Sequence, residues 1–348
     1  MRAKRRILLS VLSIAILAVL AWKLLVPSEP TYQGVRLSVW LERSSTVPQE
    51  GRDNTPEIAV RTIGTNGFPT LFRLLQAEDS RLALKLGKLF GRFEVSKRFI
   101  VPAQNRNNLA MKGFIILGGD AKAAVPDLVR ILEDSDSAKI RGNAAYALGN
   151  IGPAANDALP ALIRSVTSTN RPADGHPWTA FRQNGPEPAA ITALGKIHAE
   201  PAVVIPLLLL CMSNTNGVVA YVAMTAIGEF GSDAQQAIPT LISEATNGAS
   251  RLRFKAMETL AEIHAQPDVV VPMLTVLSSS TNINRRIYSL RSLGGFGADA
   301  KPALSNVLTL AQDSNDLVKA AALEAASKID PDTARSALKK LAPKLPPN

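Results

Sequence analysis

Three histidines and one cysteine are the whole supply of imidazole and thiol in these 348 residues. His198 and His264 hold the same place in two copies of one phrase, Lys196-Ile197-His198-Ala199-Glu200-Pro201 and Glu262-Ile263-His264-Ala265-Gln266-Pro267, 66 residues apart. Each stands where a helix should end, and there an imidazole can serve the last carbonyls and the helix dipole. In a stacked-helix fold the two would lie roughly 20 Å apart, too far to share a metal. Cys211 sits in an apolar run, has no disulfide partner, and reads as a small buried hydrophobe. The spacings of zinc proteases, paired-cysteine zinc sites, phosphate loops and nucleophile elbows do not occur. The residues therefore lead us to expect no catalytic centre, no metal and no cofactor.

Two other groups suit recognition rather than reaction. Arg171, His176, Trp178, Phe181 and Arg182 crowd into one short segment. Trp, Phe and Arg are the types that anchor protein interfaces. Either these residues meet a partner, or Trp178 and Phe181 fold back over neighbouring helices. The second group is Arg141, Arg253, Arg286 and Lys319, each seven residues before an anchor described next. These cations either pair with Asp and Asn in the turns (Asp134, Asp136, Asn216, Asn247, Asn282 or Asn315), stitching adjacent units, or form a basic stripe for an acidic partner or anionic headgroups. Lys85, Lys88, Arg92, Lys97 and Arg98 make a further basic patch, read as a solvated helix face or a surface against lipid.

The elements that position these residues come from a repeat. Leu117, Leu148, Leu194, Ile227, Leu260 and Leu293 stand at spacings of 31, 46, 33, 33 and 33, and Ala326 continues the series. Around each anchor runs a phrase such as Leu148-Gly149-Asn150-Ile151-Gly152 or Ile227-Gly228-Glu229-Phe230-Gly231, followed by small residues, Pro and Leu. A fixed period of this size marks stacked repeats. Each unit reads as two antiparallel helices. The second is rich in alanine (Ala144, Ala145, Ala147; Ala220, Ala223, Ala226), which favours helix and close packing. Gly228, Gly231, Gly294 and Gly295 are expected at helix ends. Sustained period-two alternation is missing, so essentially no sheet is expected. The spacing of 46 carries thirteen extra residues within 167–188, and it is this insertion that bears Trp178. Insertions in repeats map to loops on one face, often the binding face.

Residues 136–153, with copies at 253–263, 286–296 and 319–329, resemble the HEAT-repeat family, in its short HEAT-like bacterial variety. The resemblance covers roughly residues 55–342. It implies an all-α fold: an α-solenoid, or superhelix, of antiparallel helix pairs with about seven or eight repeats. It says little of function, because the family serves many partners. Some bacterial members are lyases that attach bilins to light-harvesting proteins.

Arg2, Lys4, Arg5 and Arg6 precede an apolar run over 7–26 that ends at Pro27. This pattern predicts a transmembrane signal anchor, or a cleaved signal with small residues at Val19-Leu20-Ala21. The positive-inside rule then puts the repeats on the periplasmic side of the cytoplasmic membrane, or secretes them if the segment is cut. Without Arg2, Lys4, Arg5, Arg6 and Lys23, the formal charge of +10 falls to +5, too mild to demand a polyanion. Residues 27–55 read as a linker and an N-terminal cap with a short amphipathic helix over 37–43, 56–342 as the solenoid, and 343–348 as a tail. The expected function is a membrane-tethered scaffold that binds another protein, and not nucleic acid or metal. The alternatives are a cell-envelope structural protein without a dedicated partner, or a HEAT-like lyase-type enzyme.

Overall fold

The computed structural model describes residues 29–45, 53–79, 102–167, 188–214, 216–248 and 250–341. The chain divides into two compact units at Ala124 and Val125.

The first unit opens with a small antiparallel hairpin, β1 (Thr31–Tyr32) against β2 (Val35–Arg36). Gln33 and Gly34 both have positive φ, 51° and 74°, as a two-residue hairpin turn with the right twist requires. This is a departure from the sheet-free expectation, since strands of two residues leave no alternation to detect. Helix α1 (Leu37–Arg43) follows and buries Leu37, Trp40 and Leu41. The Trp40 indole donates to the carbonyl of Tyr32 at 3.2 Å. Next come α2 (Thr55–Ile63), α3 (Phe68–Leu75) and α4 (Ala103–Leu117). Helix α4 closes the ends of two neighbours. Lys112 Nζ donates to the carbonyls of Leu41 (3.2 Å) and Ser44 (3.0 Å) at the end of α1, and Asn107 Nδ2 to those of Leu74, Leu75 and Ala77 at the end of α3. Leu41, Leu74 and Leu75 stand in the last turns of those helices, where carbonyls run out of donors further along the helix.

The second unit is an α-solenoid of six helix pairs among its described residues: α5 (Val125–Asp134) with α6 (Ala138–Ile151), α7 (Leu159–Thr167) with α8 (Pro188–Ile197), α9 (Pro201–Met212) with α10 (Gly217–Glu229), α11 (Ile238–Asn247) with α12 (Ser250–Ile263), α13 (Pro267–Ser278) with α14 (Ile283–Gly295), and α15 (Leu304–Leu310) with α16 (Asp316–Ile329). Helix α17 (Pro331–Leu341) packs on α16. The second helices form one continuous row, α6 on α8, α8 on α10, and so on to α16. Anchors Leu148, Leu194, Ile227, Leu260 and Leu293 have no exposed surface, and each contributes about 1.5–3 kcal/mol by leaving water.

Small residues let that row close up. An added Cβ on Gly149 would lie 2.9 Å from Ala193 Cα, on Gly195 2.7 Å from Ala226 Cα, and on Gly294 3.1 Å from Ala325 Cα. This corrects the reading of Gly294 and Gly295 as turn residues, because both lie within α14 and face the next and the preceding second helix. Gly228 likewise lies inside α10, beside Glu262. Turn duty falls on Gly152, Gly231 and Gly297 at φ 71°, 50° and 50°. Each opens a short 3-10 segment to the next repeat. These connections alternate with tighter ones at 198–200 and 264–266, where His198, Glu200, His264 and Gln266 take the left-handed conformation without being glycine.

The membrane placement needs correction. Among the described residues no helix is long and apolar enough to cross a membrane, so a single-pass protein with a periplasmic repeat domain is not supported. The segment 7–26, on which the anchor was read, lies outside the described residues.

Candidate functional site

The inserted segment carrying Arg171, His176, Trp178, Phe181 and Arg182 lies outside the described residues, as does the patch of Lys85, Lys88, Arg92, Lys97 and Arg98. The chain is described to Thr167 at the end of α7 and again from Pro188 at the start of α8.

The four repeated cations are placed, and they do not act alike. Arg141, only 4% exposed, donates through Nη1 to the carbonyls of Ser135 (3.1 Å) and Asp136 (3.0 Å), in the turn before its own helix. Arg253 Nη2 does the same to Gly248 O at 2.8 Å. Arg286 Nη1 reaches forward to Asp313 Oδ2 at 2.5 Å, in the turn of the next repeat. Lys319 pairs with Asp316 in the first turn of its own helix at 3.0 Å. Asn216, Asn282 and Asn315 accept first-turn N–H groups as helix N-caps. Asp313 escaped the sequence reading, although it sits in the same turn as Asn315.

The two histidines build one device twice. His198 Nε2 lies 3.3 Å from Asp233 Oδ2, with its ring 4.8 Å from that of Phe230. His264 Nε2 lies 3.1 Å from Asp299 Oδ2, with its ring 5.1 Å from that of Phe296. Both imidazoles therefore turn toward the next repeat and clasp the Phe-Gly-x-Asp connection there.

On the second helices, Lys255 is 6% exposed and donates to both carboxylate oxygens of Glu262 at 3.0 and 3.3 Å, with Glu258 at 3.9 Å. Burial raises the Glu258 carboxyl above its ordinary range. Lys255 opposes this, Glu262 adds to it, and Arg291 opposes it. Beside them Phe254 and Tyr288 stack at 4.6 Å and 9°, and Arg291 lies over Tyr288. The triple at positions 255, 258 and 262, spaced for one helix face, could have been found in the sequence. Cys211 is buried, and burial pushes its thiol up to about 11. Among the described residues no group of three His, Cys, Asp or Glu side chains could hold a metal ion.

Two of the first helices, α9 and α13, carry large apolar side chains on the surface. Helix α9 exposes Val203 (50%) and Leu210 (68%), and α13, 66 residues later, exposes Val269 (51%) and Val276 (74%) at the same places. A helix apolar on all sides is normally enclosed, yet α9, which has no polar side chain, is not.

Residues 140–167 match the family model of the PBS lyase HEAT-like repeat. No curated protein matches the chain in sequence. Similar solved structures include an engineered protein, at 20% identity, 60% of this chain, 97% of that one and a TM-score of 0.41. The karyopherin Kap121p, bound to the extreme C-terminus of the phosphatase Cdc14p, is similar over 83% of this chain, at 18% identity and a TM-score of 0.44. The match spans about a third of the karyopherin, 34% of its length. The complex of CpcE and CpcF of phycocyanin lyase from Nostoc sp. PCC7120 is similar at 17% identity, over 90% of this chain and all of that one, with a TM-score of 0.39.

These findings correct the expectation that the chain is not an enzyme. The repeat with a family match, 140–167, carries a lyase family's name, so a lyase-type activity stands open.

Proposed function

We propose that this chain is a protein-binding scaffold that acts through the surface of its stacked repeats. The observation that carries this reading is the paired exposure of Val203 and Leu210 on α9 and of Val269 and Val276 on α13. Large apolar side chains gathered on a surface mark sites of protein association. Their recurrence at one register over two repeats gives a partner a regular pair of footholds. The inserted segment with Arg171, His176, Trp178, Phe181 and Arg182 would add a contact that no other repeat offers. The test is a photo-crosslinking residue at position 210, and separately at 178, with adducts from cells identified by mass spectrometry. One dominant adduct at position 210, lost in Val276→Asp, is expected. Adducts only with the chain itself, or an adduct indifferent to Val276→Asp, would sink the reading.

A second reading, a lyase-type enzyme, is favoured by the lyase-named repeat at 140–167. Its assay is covalent attachment of a bilin to apo-phycocyanin in the presence of the purified chain. A rate equal to that without the chain removes it.

A further inference from the structure

Four arginines are gathered on the first turns of two adjacent helices, Arg251 and Arg253 on α12 and Arg285 and Arg286 on α14. The two helices pack directly on one another. Their N-terminal ends lie side by side, because Arg253 Nη2 donates to Gly248 O (2.8 Å) and Arg285 Nη2 to Thr246 O (3.1 Å), two carbonyls of a single turn. A helix N-terminus carries positive partial charge and favours acids. Neither of these first turns has one. Helix α16 follows the usual rule, with Asp316 in its first turn beside Lys319.

The positive charge is poorly answered. Asp313 takes Arg286. Glu244 on α11 lies against Gly248, yet among the described residues it forms no ion pair with any of the four. The Nε atoms of Arg253, Arg285 and Arg286 are shut from solvent and meet no acceptor. Burial, and then the charge of Arg253, pull the Arg285 guanidinium below its usual range, the direction that unbalanced like charges produce. Arg251, on the same first turn of α12 as Arg253, is exposed.

We propose that the N-terminal ends of α12 and α14 receive the carboxylates of an acidic protein segment. This rests on the scaffold reading and names the chemistry of the partner. A guanidinium fork binds a carboxylate through two parallel hydrogen bonds, and helix N-termini reinforce such binding. The neighbouring aromatics favour protein over single-stranded nucleic acid. Phe254 and Tyr288 stack on each other at 4.6 Å, so the facing ring surfaces are closed to bases.

The experiment uses the full chain and a fluorescein-labelled octaglutamate peptide, read by fluorescence anisotropy. Octaglutamate should bind at about 50 mM NaCl and lose affinity steeply as salt rises, as screening requires. Arg251→Glu together with Arg285→Gln should weaken binding at least about tenfold, with an unchanged urea midpoint. Arg251→Glu alone changes one exposed side chain and should weaken it at least about threefold, which keeps the test open if the double variant unfolds. Octaglutamate binding that ignores Arg251→Glu would overturn the proposal. So would failure to bind at low salt, or tighter binding of an oligothymidylate than of octaglutamate. The cross-linked adduct at position 210 separates the two readings. An adduct that persists without octaglutamate binding overturns the acidic segment alone, and octaglutamate binding without any adduct overturns the scaffold alone.

Discussion

Gly195→Ala is a small change that strikes the packing of the whole row. The new Cβ would sit 2.7 Å from Ala226 Cα, 2.9 Å from Ala226 Cβ and 3.0 Å from Ala226 O, where ordinary contact begins at 3.4 Å. The atoms it meets belong chiefly to backbone, so no rotamer change can make room, and α8 and α10 must part by several tenths of an ångström. Overpacking of this kind costs about 1–3 kcal/mol. The gain in helix propensity returns at most about 1 kcal/mol. We expect a net loss of about 1–2 kcal/mol, and, because stability in a repeat array lies in the contacts between neighbours, a broadened urea transition as the row divides at α8 and α10. Urea unfolding of the full chain, followed by circular dichroism, measures both. The control is Gly217→Ala at the start of α10, where nothing lies within 4 Å of the added Cβ. That variant should be neutral or slightly stabilising. Gly195→Ala with a midpoint equal to that of Gly217→Ala would refute the reasoning.

The remaining expectations concern buried and strained groups. Glu262→Ala should cost about 3 kcal/mol, because it leaves Lys255 buried beside Glu258 alone, while Lys255→Met should stay within about 1 kcal/mol of the parent; equal losses in thermal unfolding would contradict this asymmetry. His264→Val should lose about 2 kcal/mol, since a β-branched residue at φ 49° is strained and the Asp299 contact goes too, whereas Asp299→Asn should lose under about 1 kcal/mol from an exposed pair. Cys211, with its thiol raised to about 11, should resist a disulfide reagent at pH 8, where about one thiol in a thousand is ionised, until urea unfolds the chain; rapid stoichiometric labelling of folded protein is the contrary result. The same raised value makes the folded chain hold this proton more tightly, so the contribution is intact below pH 9.0 and is lost as pH rises toward 11, a slope that Cys211→Ala should remove.

The helices and the anchors were legible because burial recurs with the repeat: Leu148, Leu194, Ile227, Leu260 and Leu293, read at set spacings, all lose contact with water. The alternation of connections was legible too, in the paired His-Ala-x-Pro and Phe-Gly-x-Asp phrases. What those residues touch was not. His198 finds Asp233, 35 residues on, and Arg286 finds Asp313, 27 residues on, distances set by how one repeat rests on the next rather than by any local pattern. Gly228 and Gly294 misled for a different reason. Glycine punctuates chains so often that its use as a packing residue inside a helix is invisible until the neighbouring backbone is seen. The exposed faces of α9 and α13 were hidden by their own composition, since an apolar helix reads as an enclosed one. For the inserted segment with Trp178, the question of contact or cover passes to the cross-linking experiment.

The alternating connections set the step by which such a chain can lengthen or shorten. A connection of the His198 kind requires a Phe-Gly-x-Asp connection above it, and a deletion of 33 residues would bring two connections of one kind together. Removing 66 residues, from 199 to 264, joins His198 to Ala265 and presents it with Phe296 and Asp299 in place of Phe230 and Asp233. The clasp survives with new residues in the old roles.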